Sequence, residues 1–305
     1  DFPTCPYPNP EIREALEVGL NVAKEVGADI LIATDPDCDR VGIAVKQGDD
    51  FRLFSGNEVG VLLTDFIAKR KVAMGIMPKK PVVVKTIVTT DLANRVADSY
   101  GIETRDVLTG FKYIGDQIAN LERDGEVDRY LLGFEESYGY LSGSYVRDKD
   151  AVNGSYLIAQ MFAYYKAKGK SLLEVLEGLY KKYGYYLNTL YSFEFDGESG
   201  MKKMDEIMDS FRNNTPSEIA GIKVLEVRDY ETSTQTTLKT GAKEEIKLPK
   251  SNVIKYMLEG NSSAVLRPSG TEPKLKLYLA ISSENETSAR ELESKIADEL
   301  KKHLA

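Results

Sequence analysis

A chain of 305 residues is longer than one typical domain, so two or three domains are expected. Its hydrophobic content of 42% and charged content of 29% are those of a soluble globular protein, and no run is long and apolar enough to span a bilayer. A net charge of −8 argues against nucleic acid as a general partner, so an anionic substrate must meet local clusters of Lys and Arg. Cys5 and Cys38 make no disulfide framework, and with no signal peptide a reducing, cytoplasmic setting is expected. His303 is the only histidine and falls in a terminal helix, so His-based catalysis is not expected from this chain by itself.

Asn9-Pro10-Glu11 predicts a helix start, with Asn as cap and Pro in the first turn. Ile12, Ala15, Leu16, Leu20, Ala23 and Val26 form its apolar face, and Gly27 ends it. Strands are predicted at about 29–33 and 41–45, with an acidic loop between them. This is half of an α/β unit without its preceding strands. With Asp as first residue, in a loop-like stretch, the expectation is a fragment or processed chain. A turn at Gly48-Asp49-Asp50 leads to a strand at 51–54, and Ser55-Gly56-Asn57-Glu58 caps a helix to about 69. Residues 69–80, basic with Gly and Pro, predict a loop. Strands at 82–88, 102–107 and 129–134 then alternate with helices from Thr89-Thr90-Asp91 to about 100 and from Thr109 to about 123. Such alternation predicts a three-layer α/β domain with mainly parallel strands, whose ligands bind beyond the carboxyl ends of the strands.

A flexible-looking loop at 139–149 precedes helices at 151–167 and from Ser171 to about 183. From Tyr185 the style changes. One helix at about 201–211, a polar loop or hairpin at 229–249, strands at 253–258, 263–266 and 275–281, and a terminal helix at 287–303 predict a small α+β domain. The fold class expected is α/β: three-layer α/β domains with mixed, mainly parallel sheets, plus a C-terminal α+β domain. The boundaries read are 1–49, 50–186 and 187–305.

Thr34-Asp35-Pro36-Asp37-Cys38-Asp39-Arg40 carries three carboxylates at alternate positions. They repel one another unless a cation sits among them, and oxygen-only ligands point to a hard divalent ion, magnesium first. A solvated acidic turn is the bland alternative. An EF-hand fails, because Arg40 and Lys46 stand where Gly and Glu are needed. A glycosyltransferase DxD motif or a phosphatase aspartyl nucleophile stays open on these seven residues. The stretch from Arg267 to Lys274 offers a guanidinium, two hydroxyls, a glycine and a lysine between two strands: a phosphate cradle, or else an ordinary Ser-Gly turn. It is not a Walker A loop. Glu135-Glu136-Ser137 at a strand end can hydrogen-bond adjacent sugar hydroxyls, or be a charged loop. Lys112 and Lys149 could each bind phosphate or shuttle a proton, though most lysines are simply solvated.

In order and spacing these segments resemble the α-D-phosphohexomutases, which include the phosphoglucomutases and phosphomannomutases. The resemblance covers nearly the whole chain. Those enzymes have four domains: one with a phosphoserine, then a metal loop D-x-D-x-D-R, a sugar loop G-E-x-S-G and a phosphate loop R-x-S-G-T. Residues 1–49 resemble the end of the second domain, 50–186 the third and 187–305 the fourth. The resemblance implies that Asp35, Asp37 and Asp39 ligate Mg2+ and that Arg40 lies beside the phosphoryl group. It places Glu135 and Ser137 on the sugar hydroxyls, and Arg267, Ser269, Gly270 and Thr271 on the non-reacting phosphate. Lys149 matches an acid–base lysine, and Lys112 lies in a loop that selects substrate. Cys38 stands where Gly or Ala is commoner and is read as structural. The Glu-Glu-Ser-Tyr-Gly and Thr-Gly-Phe-Lys-Tyr segments are similar to the phosphoglucomutase branch that includes phosphopentomutases.

The implied activity of the parent enzyme is interconversion of glucose 1-phosphate and glucose 6-phosphate, with Mg2+ and glucose 1,6-bisphosphate as activator and intermediate. The sequence contains no Thr-x-Ser-His-Asn-Pro-like segment, so the chain alone is expected to bind but not turn over its substrate. Phosphomannomutase or phosphopentomutase activity and a noncatalytic sugar-phosphate binding module are the alternatives. The expected partner is a phosphosugar, with no nucleic acid and no membrane, and self-association through an unpaired strand edge.

Overall fold

The structure, a computed structural model, describes residues 2–195, 197–269 and 272–304. The chain forms two compact units, Asp1–Tyr183 and Gly184–Ala305. Among the described residues, no helix is long and apolar enough to cross a membrane.

The first unit opens with α1 (Arg13–Glu25) and strands β1 (Ile30–Thr34), β2 (Val41–Gln47) and β3 (Asp50–Phe54). Leu16, Leu20 and Ala23 of α1 pack with Ala44 and Phe51. The helix starts later than Asn9-Pro10 predicts. The Asn9 carboxamide accepts the Glu11 N–H at 3.0 Å, outside the helix, and Ile12 precedes the first turn without a side-chain cap. The three strands run in the order β1-β2-β3, and both pairings are antiparallel, which corrects the mainly parallel expectation here. The short acidic loop returns the chain directly alongside β1, and only antiparallel strands permit so tight a connection.

Next come α2 (Gly56–Ala73), β4 (Val82–Thr86), α3 (Leu92–Asp98), β5 (Glu103–Val107), α4 (Phe111–Arg123), β6 (Tyr130–Phe134), β7 (Tyr140–Leu141), α5 (Ala151–Lys166) and α6 (Leu172–Tyr183). A capping box between Ser55 and Glu58 starts α2. That helix runs to Ala73, past the predicted stop, because Arg70, Lys71 and Ala73 are good helix formers; Gly75 ends it in the left-handed region. The sheet order is β5-β4-β6-β7, parallel except for β7. Val82 and Val84 face α4 through Phe111, Ile114 and Ile118. Phe134, on the opposite face beside Lys85, lies against Gly60 of α2. Helices on both faces of a parallel sheet make three layers. The predicted flexible loop at 139–149 contains β7, whose two residues are fully buried.

The second unit contains β8 (Tyr185–Glu194), α7 (Gly197–Asn213), β9 (Glu218–Ile219), β10 (Ile222–Asp229), β11 (Thr234–Thr237), β12 (Lys243–Glu245), β13 (Ile254–Leu258), β14 (Ser262–Pro268), β15 (Lys274–Ser283) and α8 (Glu286–Lys301). All pairings are antiparallel, in the order β12-β11-β10-β13-β14-β15-β8, with β9 on β10. Met204, Met208 and Phe211 of α7 and Ile296, Ala297 and Leu300 of α8 share one core with Leu266, Leu275, Leu277 and Leu279. Strand β10 was not anticipated. Its buried residues are only Val224 and Val227, too few to alternate cleanly, because it carries a register shift.

A Cβ added at Gly60 would lie 2.1 Å from the Phe134 ring, which is fully buried. Gly60→Ala is therefore expected to destabilise the first unit by about 1–3 kcal/mol. The urea unfolding midpoint measures this, and an unchanged midpoint would show that the ring has room to move.

Candidate active site

The acidic loop joins Thr34 of β1 to Val41 of β2, which pair across the hairpin. The Asp35 N–H donates to the Arg40 carbonyl at 3.2 Å and the Cys38 N–H to the Asp35 carbonyl at 3.1 Å. Cys38 supplies the left-handed conformation, φ 59°, that closes so short a loop. Its carbonyl accepts the Ala151 N–H at 3.1 Å, which ties the loop to the start of α5.

Asp35 is buried. Its Oδ1 accepts the N–H groups of Asp39 and Arg40 at 3.0 and 2.9 Å, and its Oδ2 accepts Nε of Arg40 at 2.6 Å. Burial pushes this carboxyl up, but the Arg40 N–H and guanidinium and the Asp39 groups outweigh it and hold Asp35 below the ordinary carboxylate range. Asp37 is exposed and Asp39 half-buried. Asp39 lies above the ordinary range: burial raises it, Lys149 opposes, and the Asp35 charge adds to the rise. One ligand oxygen from each of Asp35, Asp37 and Asp39 lies within 4.8 Å of the others. Three converging carboxylate oxygens, with no nitrogen or sulfur donor in the group, fit a hard divalent cation such as Mg2+.

Two further side chains close on this loop. Glu11 Oε1 lies 3.5 Å from Nη1 of Arg40. Nζ of Lys149 lies 2.6 Å from Asp39 Oδ2 and 3.6 Å from Asp148. Burial lowers Lys149, but Asp39, Asp148 and Glu135 outweigh it, so the lysine stays charged above its ordinary range. Its stem lies over Gly139, where an added Cβ would be 2.5 Å from Lys149 Cδ. The glycine leaves the slot through which the lysine reaches the acidic loop.

The turn after β6 lies alongside. The Val41 N–H donates to the Tyr138 carbonyl at 3.0 Å, and the Glu135 N–H to the Gly139 carbonyl at 3.0 Å. Glu135 is buried, its Oε1 accepting the Gly110 N–H at 2.9 Å. Burial, then the Glu136 charge, pushes its pKa up to about 7. Glu136 turns back toward Thr86 and Thr89, and Ser137 is half-buried beside it. Lys112 is exposed on α4, its ammonium 4.9 Å from the Tyr113 ring.

In the second unit, Arg267 stands opposite Lys276 near the end of β14. The Ser269 N–H donates to the Lys274 carbonyl at 2.7 Å, and Ser269 Oγ accepts the Glu272 N–H at 3.3 Å. Lys274 pairs with Glu194 and Glu272 at 3.2 and 3.3 Å. Gly270 and Thr271 lie outside the described residues.

Arg40 thus pairs with Asp35 and Asp39, and Lys149 with Asp39, with Asp37 beside them, and the Glu135 turn is bonded to β2. Lys112 is at a surface position instead. Glu11, Gly110 and Gly139 were not foreseen. A backbone donor, a missing side chain and a contact across 29 residues leave no local pattern to read.

Residues 1–48 match the family described as phosphoglucomutase/phosphomannomutase, alpha/beta/alpha domain II, and residues 55–183 match its domain III. The phosphoglucomutase of Staphylococcus saprophyticus is 40% identical over 286 residues, which are 93% of this chain and 51% of that protein. The solved structure of the exocytosis-sensitive phosphoprotein pp63/parafusin, a phosphoglucomutase from Paramecium, has a TM-score of 0.63 at 17% identity, over 94% of this chain and 48% of that one. The N-acetylphosphoglucosamine mutase of Aspergillus fumigatus, solved in complex with GlcNAc-6P and magnesium, has a TM-score of 0.50 at 15% identity, over 93% of this chain and 52% of that one. The chain belongs to the phosphoglucomutase/phosphomannomutase family. It spans about half the length of the curated relatives it matches.

Glu135 makes stability depend on pH. Its folded carboxyl titrates at about 7 instead of 4.5, so the neutral form is the one that folding favours. The contribution is complete below the ordinary value and is lost as pH rises through about 7. Stability is expected to fall between about pH 5 and 8 by on the order of 3 kcal/mol at most, and Glu135→Gln should flatten that fall. Equal pH slopes for the two proteins in denaturant titrations would refute the assignment.

Proposed function

We propose that the protein carrying this chain is a phosphoglucomutase-like phosphohexomutase, interconverting glucose 1-phosphate and glucose 6-phosphate through a phosphoserine and a bisphosphorylated sugar. The observation that carries the proposal is the convergence of Asp35, Asp37 and Asp39 within 4.8 Å, with Lys149 shared between that loop and the Glu135 turn. Membership in the family and the 40% identity to a phosphoglucomutase favour this substrate class. The Aspergillus relative, solved with magnesium and a hexosamine phosphate, favours the metal.

In this proposal Asp35, Asp37 and Asp39 hold Mg2+, which when bound offsets charge on the phosphoryl oxygens. Arg40 keeps a fixed positive charge beside Asp35 and is aligned by Glu11. Lys149 is an ammonium at neutral pH, so it serves as a proton donor to the sugar oxygen in one direction and recovers that proton in the other. Its pairing with Asp39 holds it beside the residues that would hold the metal. Neutral Glu135 can donate as well as accept, which suits a site that must hold a sugar in two orientations. Ser137 adds a hydroxyl and Lys112 helps select the substrate. Arg267 and Ser269, with Gly270 and Thr271, hold the phosphate that is not reacting. Glucose 1,6-bisphosphate is the intermediate and activator. The setting is cytoplasmic, and the edge of β1 offers a place for self-association.

The test is mutase activity on glucose 1-phosphate with magnesium. The gene product that contains this chain, its Asp37→Asn variant and these 305 residues alone are assayed side by side. The gene product is expected to be active and the chain alone inactive. Magnesium activation of the variant should weaken by at least about tenfold, the loss typical even of groups outside the first ligand shell. A gene product inactive on glucose, mannose and pentose phosphates would replace the mutase with a noncatalytic sugar-phosphate binding module. Turnover by the 305 residues alone would show that the phosphoserine is dispensable.

A further inference from the structure

Glu136 separates the two residues assigned to the sugar, yet its side chain points away from that role. Its Oε2 lies 3.0 Å from Oγ1 of Thr86 and 3.1 Å from Oγ1 of Thr89. The two hydroxyls are 2.8 Å apart, and both threonines are buried. Three contacts share two hydroxyl protons, and a carboxylate, an acceptor only, can take both. Buried hydroxyls without such an acceptor would be costly.

The threonines are themselves held. Thr86 ends β4, and the Thr89 N–H donates back to the Thr86 carbonyl at 3.1 Å. Lys85 is fully buried on the other face of the strand. Its Nζ donates to the Thr89 carbonyl at 3.1 Å and to Asp91 at 3.0 Å, with Asp106 also 3.0 Å away. The ammonium therefore has two hydrogen-bond acceptors and, in Asp106, a further ion-pair partner, and it fixes the turn that carries Thr89. The backbone of Glu136 is confined as well. A Cβ on Gly56 would come within 2.1 Å of the Glu136 carbonyl oxygen and 2.8 Å of the Tyr138 nitrogen. Tyr138 has φ 68°, a conformation a tyrosine keeps only under constraint from its surroundings.

We propose that Glu136 is a positioning residue: held by the Thr86 and Thr89 hydroxyls, it sets the turn that presents Glu135 and Ser137 to the sugar. This rests on the sugar-binding role proposed above for those two residues. Lys85 acts one step further back, through the Thr89 carbonyl. Because the amide oxygen of glutamine can accept the same two hydroxyls, the role belongs to geometry and not to charge.

Three forms of this chain decide it: wild type, Glu136→Ala and Glu136→Gln. Each is titrated calorimetrically with glucose 6-phosphate and, separately, with inorganic phosphate. Exchange of the Glu135 amide, which donates to Gly139, is followed without ligand. The expected result is roughly tenfold weaker glucose 6-phosphate binding in Glu136→Ala, with recovery to within a few-fold in Glu136→Gln and unchanged inorganic phosphate affinity throughout. The Glu135 amide should lose protection in the alanine variant and regain it in the glutamine variant. Unchanged glucose 6-phosphate binding by Glu136→Ala would overturn the proposal. So would a glutamine variant as weak as the alanine one, which would give the carboxylate a direct chemical role. A parallel loss of phosphate affinity would also overturn it, by showing a general structural defect. If wild type binds no glucose 6-phosphate, the sugar-phosphate reading falls, and unchanged Glu135 exchange in Glu136→Ala would then overturn the positioning role separately.

Discussion

Three carboxylates brought within 4.8 Å of one another repel strongly, and the first unit is arranged around the means of holding them there. The hairpin between β1 and β2 cannot close on Asp35, Asp37 and Asp39 without compensation. Asp35 is buried and takes two backbone N–H groups and the Arg40 guanidinium. Asp39 takes the Lys149 ammonium. Those two cations are supplied by protein, and only Asp37 is left in water. Removing either cation would leave a partly buried negative charge uncompensated, a larger cost than the ion pair's net worth.

The same requirement links the acidic loop to the turn after β6. Lys149 comes from the segment that follows β7, and it reaches Asp39 only because Gly139 carries no side chain. Gly139 in turn accepts the Glu135 N–H, and Tyr138 accepts the Val41 N–H. Displacing the lysine therefore strains the turn that carries Glu135, and moving that turn disturbs the lysine. The coupling is local and mechanical: a glycine slot, two backbone hydrogen bonds and one ion pair.

Opposite protonation preferences coexist across this short span. Asp35 is held below the ordinary carboxylate range by donors, while Glu135 is pushed up to about 7 by burial and a neighbouring charge. Two carboxylates in differently furnished environments can play different roles at one pH. Here the ionised one suits a cation, and the one pushed up to about 7 can act as hydrogen-bond donor or acceptor. Buried Lys85 behaves differently again. Asp91 and Asp106 offset its desolvation, and its charge supports the turn without reaching the site.

The amino-acid sequence by itself determined the acidic loop, the strand-end turn and the Arg-x-Ser-Gly-Thr segment. Each is contiguous, and its chemistry is written in residue types at short spacing. It also determined most of the elements, since a β-branched run such as that of β4 and a capping box such as Ser55–Glu58 are local signals. Only the tertiary structure decided the burial of β7 and the existence of β10. Strand pairing depends on partners distant in the chain. It also decided that Glu136 faces Thr86 and Thr89, 50 and 47 residues away, while Glu135 takes the Gly110 N–H. Two identical side chains, adjacent in sequence, part company because one meets a backbone donor and the other two hydroxyls, and only folding brings those groups within hydrogen-bonding reach.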